Sequence, residues 1–186
     1  MDVARRISET EYERFILSTP RGTWELHDGM LIEKPAMSPG HGAIVSRLAQ
    51  QLLAQLDLAE YAVRVNDGRI RGPAGTVLIP DLLVVPAGSG ELADSPSGSP
   101  IIAAPLPLVV EVWSPASDGY DVDSKLPVYH QRGDLEIWRL HPGDRTLTTW
   151  VRQVDGTYAE TIYQVGAALP SPRVGQSIDR QTRFDA

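Results

Sequence analysis

The chain has 186 residues, of which 42% are hydrophobic and 22% charged, and this fits a single globular domain over residues 1–186. It contains no cysteine, which excludes disulfides and thiolate metal sites and favours a cytoplasmic location. The net charge of −7 counts against tight, non-specific DNA binding, and no apolar run approaches the roughly 20 residues that span a membrane.

The first predicted element is a short helix over residues 8–17. Ser8 is a suitable N-cap, and Glu11 three residues later completes the pattern of a capping box. A hairpin follows, because Asp28-Gly29 separates two short apolar segments and glycine tolerates the positive φ that a tight turn requires. We expect two short strands there, Trp24–Leu26 and Met30–Ile32.

The longest predicted helix begins at Ser38, a natural N-cap, with Pro39 in the first helical position. Apolar residues recur along it at helical spacing, namely Ile44, Val45, Leu48, Leu52 and Leu56. Alternating residues then predict a strand at Tyr61–Val65, followed by a turn.

Two apolar segments, Val77–Val85 and Leu108–Trp113, are predicted to be buried strands. The stretch between them, Pro86–Pro107, is rich in proline, glycine and serine and predicts a long surface loop. A short helix should follow, with Asp123 or Ser124 as N-cap, because Pro127 is then confined to the first turn.

Gly133 is predicted to end that helix, since glycine is the usual residue just after a helix C-terminus. Three further strands are predicted over residues 135–140, 146–152 and 158–164. The order of elements predicts an α/β or α+β domain with a mixed sheet.

Each of the two buried strands carries one acid, Asp81 in "IPDLLVVP" and Glu111 in "LVVEVWSP". A buried carboxylate is costly unless it is paired, hydrogen-bonded or bound to a cation. Two such acids on adjacent strands would fit Mg²⁺, which prefers oxygen ligands. Two simpler interpretations stay open: Asp81 could cap a turn after Pro80, and Glu111 could pair with an arginine in the core.

Four segments together resemble the Uma family of predicted restriction endonucleases, in the PD-(D/E)-x-K nuclease superfamily. They are "WELHDGMLIEKPAMSPGH", "IPDLLVV", "LVVEVWSPAS" and "DVDSKLPVYHQRGDLEIWRLHP", and the resemblance runs from about residue 24 to 170. It implies a restriction-endonuclease-like core in which a mixed β-sheet is flanked by helices. It also implies that Asp81 and Glu111 are the metal-binding acids. Trp113 occupies the position where the superfamily expects its lysine.

The resemblance implies roles for four more residues. Lys125 matches a lysine that the family carries in the following helix, and Asp121 matches an acid four positions before it. Glu33 and His41 match an acid and a histidine near the first core helix. Lys125 could instead be a solvated residue paired with Asp121. Glu33 could be a surface acid rather than a third metal ligand, and His41 a helix cap.

These features predict a DNA endonuclease dependent on Mg²⁺ (or Mn²⁺), with Lys125 assisting the attacking water. The acidic charge predicts weak or partner-assisted DNA binding, with Arg64, Arg69 and Arg71 as candidate phosphate contacts. A homodimer would let two sites cut two strands. The alternatives are a nuclease fold that binds without cutting, motivated by Trp113, and a metal-dependent hydrolase of another phosphoester.

Overall fold

The computed structural model describes residues 6–19, 21–88, 101–114 and 124–164. Three helices lie within these ranges: Glu9–Ser18 (α1), Pro39–Gln55 (α2) and Leu126–Arg132 (α3). Among the described residues, none of the helices combines the length and apolar character that crossing a bilayer requires.

The described residues also form eleven strands. In chain order they are Thr23–His27 (β1), Met30–Lys34 (β2), Tyr61–Val65 (β3), Arg69–Arg71 (β4), Val77–Leu78 (β5), Leu82–Pro86 (β6), Ile101–Ile102 (β7), Leu108–Val112 (β8), Glu136–His141 (β9), Thr146–Arg152 (β10) and Tyr158–Gln164 (β11).

The strands make two sheets. The smaller sheet has the order β2-β1-β5-β4-β7, and the larger has the order β11-β10-β9-β8-β6-β3. Each sheet is mixed, since β4 pairs with β7 and β8 pairs with β9 in parallel, whereas the other pairs are antiparallel. The predicted α/β fold, a mixed sheet flanked by helices, is therefore confirmed, with two sheets instead of one.

The centre of the larger sheet is buried on both faces. Along β6, Leu82 and Val84 pack on the side of α2, whereas Leu83 and Val85 pack on the side of α3. This alternation follows from the two-residue period of a strand, and it explains why the strand is almost continuously apolar. The packing on both faces therefore fixes the backbone at the ends of the strand, including the position of a polar residue there.

The predicted helix signals are confirmed for the first two helices. Ser8 caps α1 in a full capping box with Glu11, and the Ser38 hydroxyl accepts a hydrogen bond from the His41 N–H at the start of α2. The apolar stripe of α2 packs on the larger sheet through Val45, Leu48 and other members. These local signals therefore position α2 against the strands that carry the buried acids.

The prediction of one strand over Val77–Val85 is wrong. The chain forms β5 in the smaller sheet and β6 in the larger sheet, and residues 79–81 cross between them. Pro80 explains the break, because proline has no N–H to donate and cannot continue a strand ladder. Asp81 consequently lies just before β6, where the two sheets meet.

Two further boundaries differ from the predictions. The predicted loop Pro86–Pro107 contains β7, which pairs with β4, while residues 89–100 lie outside the described residues. The N-cap of α3 is Lys125 and not Ser124, and the other candidate, Asp123, is outside the described residues. Pro127 still falls in the first turn, where its missing N–H leaves no hydrogen bond unmade, and Gly133 ends the helix as predicted with φ 77°.

Candidate active site

Three carboxylates from different parts of the chain are buried at the junction of the two sheets. Glu25 comes from β1, Asp81 from the crossing segment and Glu111 from β8, and they are 1%, 1% and 3% exposed. A carboxylate this deeply buried is stable only when charges or hydrogen bonds replace the water it has lost. The partners of these three groups therefore decide what the site can do.

Lys125 lies between two of the carboxylates. Its Nζ is 3.1 Å from Oε1 of Glu111 and 3.1 Å from Oε1 of Glu25, and the residue is only 1% exposed. The Tyr129 hydroxyl also donates to Oε1 of Glu111, and the Ile79 N–H donates to Oε1 of Glu25 at 2.7 Å. Lys125 thus joins β1, β8 and α3 through one ammonium group.

Lys34 makes a second ion pair, with Asp81. Its Nζ lies 2.7 Å from Oδ1 of Asp81, and it also donates to the Ile79 carbonyl at 2.8 Å and to Oδ1 of Asn66 at 3.2 Å. These contacts use all three ammonium hydrogens. The other oxygen of Asp81, Oδ2, accepts a hydrogen bond from the Val112 N–H at 2.8 Å. The carboxylate of Asp81 is therefore fixed from both sides.

His41 from the first turn of α2 also reaches Asp81. Its Nε2 is 3.2 Å from Oδ2 of Asp81, although the geometry falls short of a well-formed hydrogen bond to any described residue. Burial alone raises the pKa of Asp81, but His41, Lys34 and the Val112 N–H outweigh burial and hold the pKa well below its usual value. Asp81 is therefore a carboxylate at neutral pH.

Neighbouring residues of β2 point in opposite directions. The hairpin register pairs Glu25 with Ile32 and Trp24 with Glu33, so Glu25 and Lys34 share one face while Glu33 lies on the other. A Cβ added at Gly22 would lie 2.6 Å from Oε1 of Glu33, which places that carboxylate beside Gly22. Lys34, and not Glu33, is the β2 residue whose side chain reaches Asp81.

Six acidic or lysine residues line a single cavity of about 300 Å³, and one of them, Glu33, is exposed. We call the five others, which are buried or partly buried, the charged cluster: Glu25, Lys34, Asp81, Glu111 and Lys125. The mouth has an apolar wall, defined by Ile32, Pro35, Ala36 and Met37. Three carboxylates against two ammonium groups leave the charged cluster with one net negative charge.

The donor atoms of the charged cluster suit a hard divalent cation. Within the part of the chain that the structure describes, no group of three or more acidic, histidine or cysteine side chains is arranged to hold a metal. Asp81 and Glu111 supply carboxylate oxygens, the ligand type that Mg²⁺ prefers. Lys34 and the Val112 N–H contact the oxygens of Asp81, and Lys125 and Tyr129 contact Oε1 of Glu111, so a cation at these carboxylates would share or displace those contacts.

Two predicted features remain to be placed. Asp121 lies outside the described residues. Trp113, at the position of the superfamily lysine, stacks on His141 with ring centroids 4.1 Å apart and an angle of 20° between the planes. This stack fills the lysine position with an aromatic contact, so the ammonium groups of the cavity come from α3 and β2.

Two of the three arginines predicted to contact phosphate form ion pairs with acidic residues of the chain. Arg64 pairs with Asp67 at 2.6 Å, and Nε of Arg71 donates to Glu9 at 2.8 Å. Both arginines are thus at least partly neutralised by a neighbouring carboxylate, which weakens their attraction for a phosphate backbone.

Sequence analysis missed Glu25, Lys34 and Tyr129. Glu25 carried the same signal as the other two acids, since it lies between Trp24 and Leu26 in a predicted strand. Lys34 had a different sequence signal. It and Lys125 are the only two lysines of the chain, and the other basic residues counted with them are arginines. Tyr129 follows Lys125 by four positions, which places the two on one side of α3.

A family model described as "Putative restriction endonuclease", Uma2, matches residues 10–181. One matching solved structure is titled "a putative nuclease belonging to DUF820" from Anabaena variabilis ATCC 29413. It is 18% identical, covers 90% of both chains and gives a TM-score of 0.70, so the two proteins share a fold. No curated protein matches the chain significantly.

Proposed function

The chain belongs to the Uma2 family, and from that membership and the charged cavity we propose that it is a metal-dependent nuclease that hydrolyses phosphodiester bonds of DNA. The family description supports DNA as the substrate class. The observation that carries the proposal is the meeting of three buried carboxylates and both lysines of the chain in one cavity. Replacing buried ion pairs by well-packed apolar residues is often neutral or stabilising, so the stability of the core does not by itself account for these charges.

We assign the metal to Asp81 and Glu111, as Mg²⁺ or Mn²⁺. When bound, the cation would supply Lewis-acid stabilisation of the phosphate and a water of lowered pKa. The charge balance supports this assignment, because the charged cluster carries one net negative charge. With a divalent cation it carries one net positive charge, opposite to the single negative charge of a phosphodiester.

Lys125 has two tasks in this proposal. It holds Glu111 and Glu25 in place through its two 3.1 Å contacts, and it places a positive charge at the floor of the cavity. Negative charge develops on the phosphate oxygens as the water attacks, and a preorganised ammonium stabilises that charge. Tyr129 supports the same arrangement by donating to Glu111.

Lys34 and His41 act on Asp81. Lys34 fixes Oδ1 and His41 lies beside Oδ2, so the carboxylate has one orientation and stays ionised. We assign both as positioning residues and leave Asp81 and Glu111 as the groups that would touch the metal. Glu33 is assigned to the rim of the cavity, because its carboxylate lies beside Gly22.

A second candidate is a protein of nuclease fold that binds nucleic acid without cutting it. The observation in its favour is that lysines already occupy oxygens of all three carboxylates. A metal would have to share or displace these contacts. A third candidate, hydrolysis of another phosphoester such as a nucleotide, uses the same residues and suits the net charge of −7.

Plasmid nicking with Mg²⁺ and with Mn²⁺ tests the proposal. We expect the wild type to nick supercoiled DNA, and we expect Asp81→Asn and Glu111→Gln to lose at least about 100-fold in rate, since each removes a charged metal ligand. Lys125→Met should lose a similar factor. Glu60→Gln is the control, because Glu60 is an exposed acid outside the cavity.

The outcomes separate the candidates. Cleavage by the wild type that survives in Asp81→Asn would contradict the assigned site. Metal binding without cleavage of DNA, but with hydrolysis of nucleotides, would favour the third candidate. Neither cleavage nor metal binding would favour the second.

We also propose that the protein acts in the cytoplasm as a homodimer and binds DNA weakly or with the help of a partner. Two sites in a dimer would allow both strands to be cut. Light scattering at micromolar concentration measures the assembly, and a monomeric mass would contradict the dimer.

A further inference from the structure

We propose that the cavity takes a single unpaired nucleotide, so that the substrate is single-stranded or locally unpaired DNA and not an intact duplex. This inference rests on the proposed nuclease function and specifies its substrate. Three features carry it: the depth of the carboxylates, the composition of the cavity wall and the charge of the chain.

The reacting phosphate has to enter the cavity. Asp81 and Glu111 are 1% and 3% exposed, so a phosphate at the protein surface does not reach either carboxylate. In an intact duplex each phosphate is held between stacked and paired neighbours, so the stiff duplex resists the local bend that would carry one phosphate into a recessed cavity. An unpaired nucleotide can descend into the cavity with its phosphate.

The size and lining of the cavity fit one nucleotide. Its volume of about 300 Å³ is at the lower end of the range for pockets that hold a small organic ligand. The charged cluster forms the floor, which would suit a phosphate once the proposed divalent cation makes its net charge positive. The apolar wall forms one side, which suits the face of a base. Met37 is 49% exposed at this wall, and its thioether is a favourable neighbour for an aromatic ring.

The charge of the chain also favours a single strand. Duplex binding depends more steeply on phosphate neutralisation than single-strand binding does. This chain carries a net charge of −7, and two arginines near the cavity strands, Arg64 and Arg71, are paired with Asp67 and Glu9. Contacts to the face of a base contribute to the free energy of binding without requiring positive charge on the protein.

Cleavage of three matched oligonucleotides in Mn²⁺ tests the inference: a single strand, its duplex, and the same duplex with a three-nucleotide bulge. We expect kcat/KM for the single strand and the bulge to exceed that for the duplex at least about tenfold. Equal or faster cleavage of the duplex would overturn the inference and leave the proposed function standing. No cleavage of any of the three would overturn both.

Variants of Met37 test the apolar wall. Met37→Ala should raise KM for the single strand about fivefold and leave kcat within about twofold. The contact with the base is the same in the bound substrate and in the transition state, so its loss weakens binding without slowing the reaction. Met37→Leu should restore the wild-type KM, which separates the apolar contact from the 3.3 Å contact between the Met37 sulfur and Asn66. Leu58→Ala, at a 55% exposed leucine outside the cavity, is the control. An unchanged KM in Met37→Ala would overturn the placement of the base.

Discussion

Replacing Lys125 with methionine should strongly destabilise the protein. The ammonium makes two contacts of 3.1 Å with carboxylates that are 1% and 3% exposed. At an effective dielectric constant of 20, each contact contributes about 5 kcal/mol of attraction, which offsets the desolvation of three charges. Without the ammonium, Glu25 and Glu111 remain buried and repel each other, and removing one partner of a buried ion pair costs about 3–5 kcal/mol.

Urea unfolding at pH 8 measures the loss, which should correspond to a fall of about 10 °C in Tm. The double variant Lys125→Met, Glu25→Gln should recover about 1–2 kcal/mol, since one buried charge is gone. A loss below about 1 kcal/mol at pH 8, or no recovery in the double variant, would refute this reasoning.

Three other predictions concern stability. The pKa of Asp81 is held below its usual value of 3.8, so Asp81 stabilises the fold above that pH and this contribution is lost as the pH falls below it. Between pH 3 and pH 6, the free energy of unfolding in urea should therefore fall less with acid for Asp81→Asn than for the wild type. The same pH dependence in both proteins would contradict this prediction. Gly68→Ala should cost about 1–3 kcal/mol, because the added Cβ would lie 2.4 Å from the fully buried Leu83. Gly40→Ala should stabilise α2 by about 0.5–1 kcal/mol, since nothing lies within 4 Å of its added Cβ. Wild-type Tm values in both alanine variants would contradict both predictions.

The helix ends and the hairpin were predictable because their signals are local. A serine hydroxyl that caps a helix acts within three residues, as at Ser8 and Ser38. The hairpin turn depends on Gly29, which has φ 79°. These signals act between residues close in sequence, so the sequence pattern is sufficient to locate them.

The division into two sheets was not predictable from hydrophobic pattern alone. Both halves of Val77–Val85 are apolar and buried, and a strand that changes sheets has the same composition as one that continues. Pro80 was the physical signal for the break, because it cannot donate to a ladder. The strands β4 and β7 are only three and two residues long, which is too short for a period to be recognised.

The acids of the site were easier to predict than the lysines. Asp81 and Glu111 interrupt long apolar runs, and this contrast marks a buried charge. Lys125 was expected only from the resemblance to a family, and Lys34 was missed because a charged residue at the end of a short strand is usually on the surface. The choice between Glu33 and Lys34 depends on the register of β2, which only the pairing with β1 defines.

Binding of Mn²⁺ tests most directly the central claim, that Asp81 and Glu111 hold a divalent cation in this cavity. Titration calorimetry of the wild type should show one site, and the exposed-acid control Glu60→Gln should show the same affinity. Asp81→Asn and Glu111→Gln should each bind at least about tenfold more weakly, as expected for loss of a charged ligand. Equal affinity in all four proteins, or no binding to the wild type, would contradict the claim.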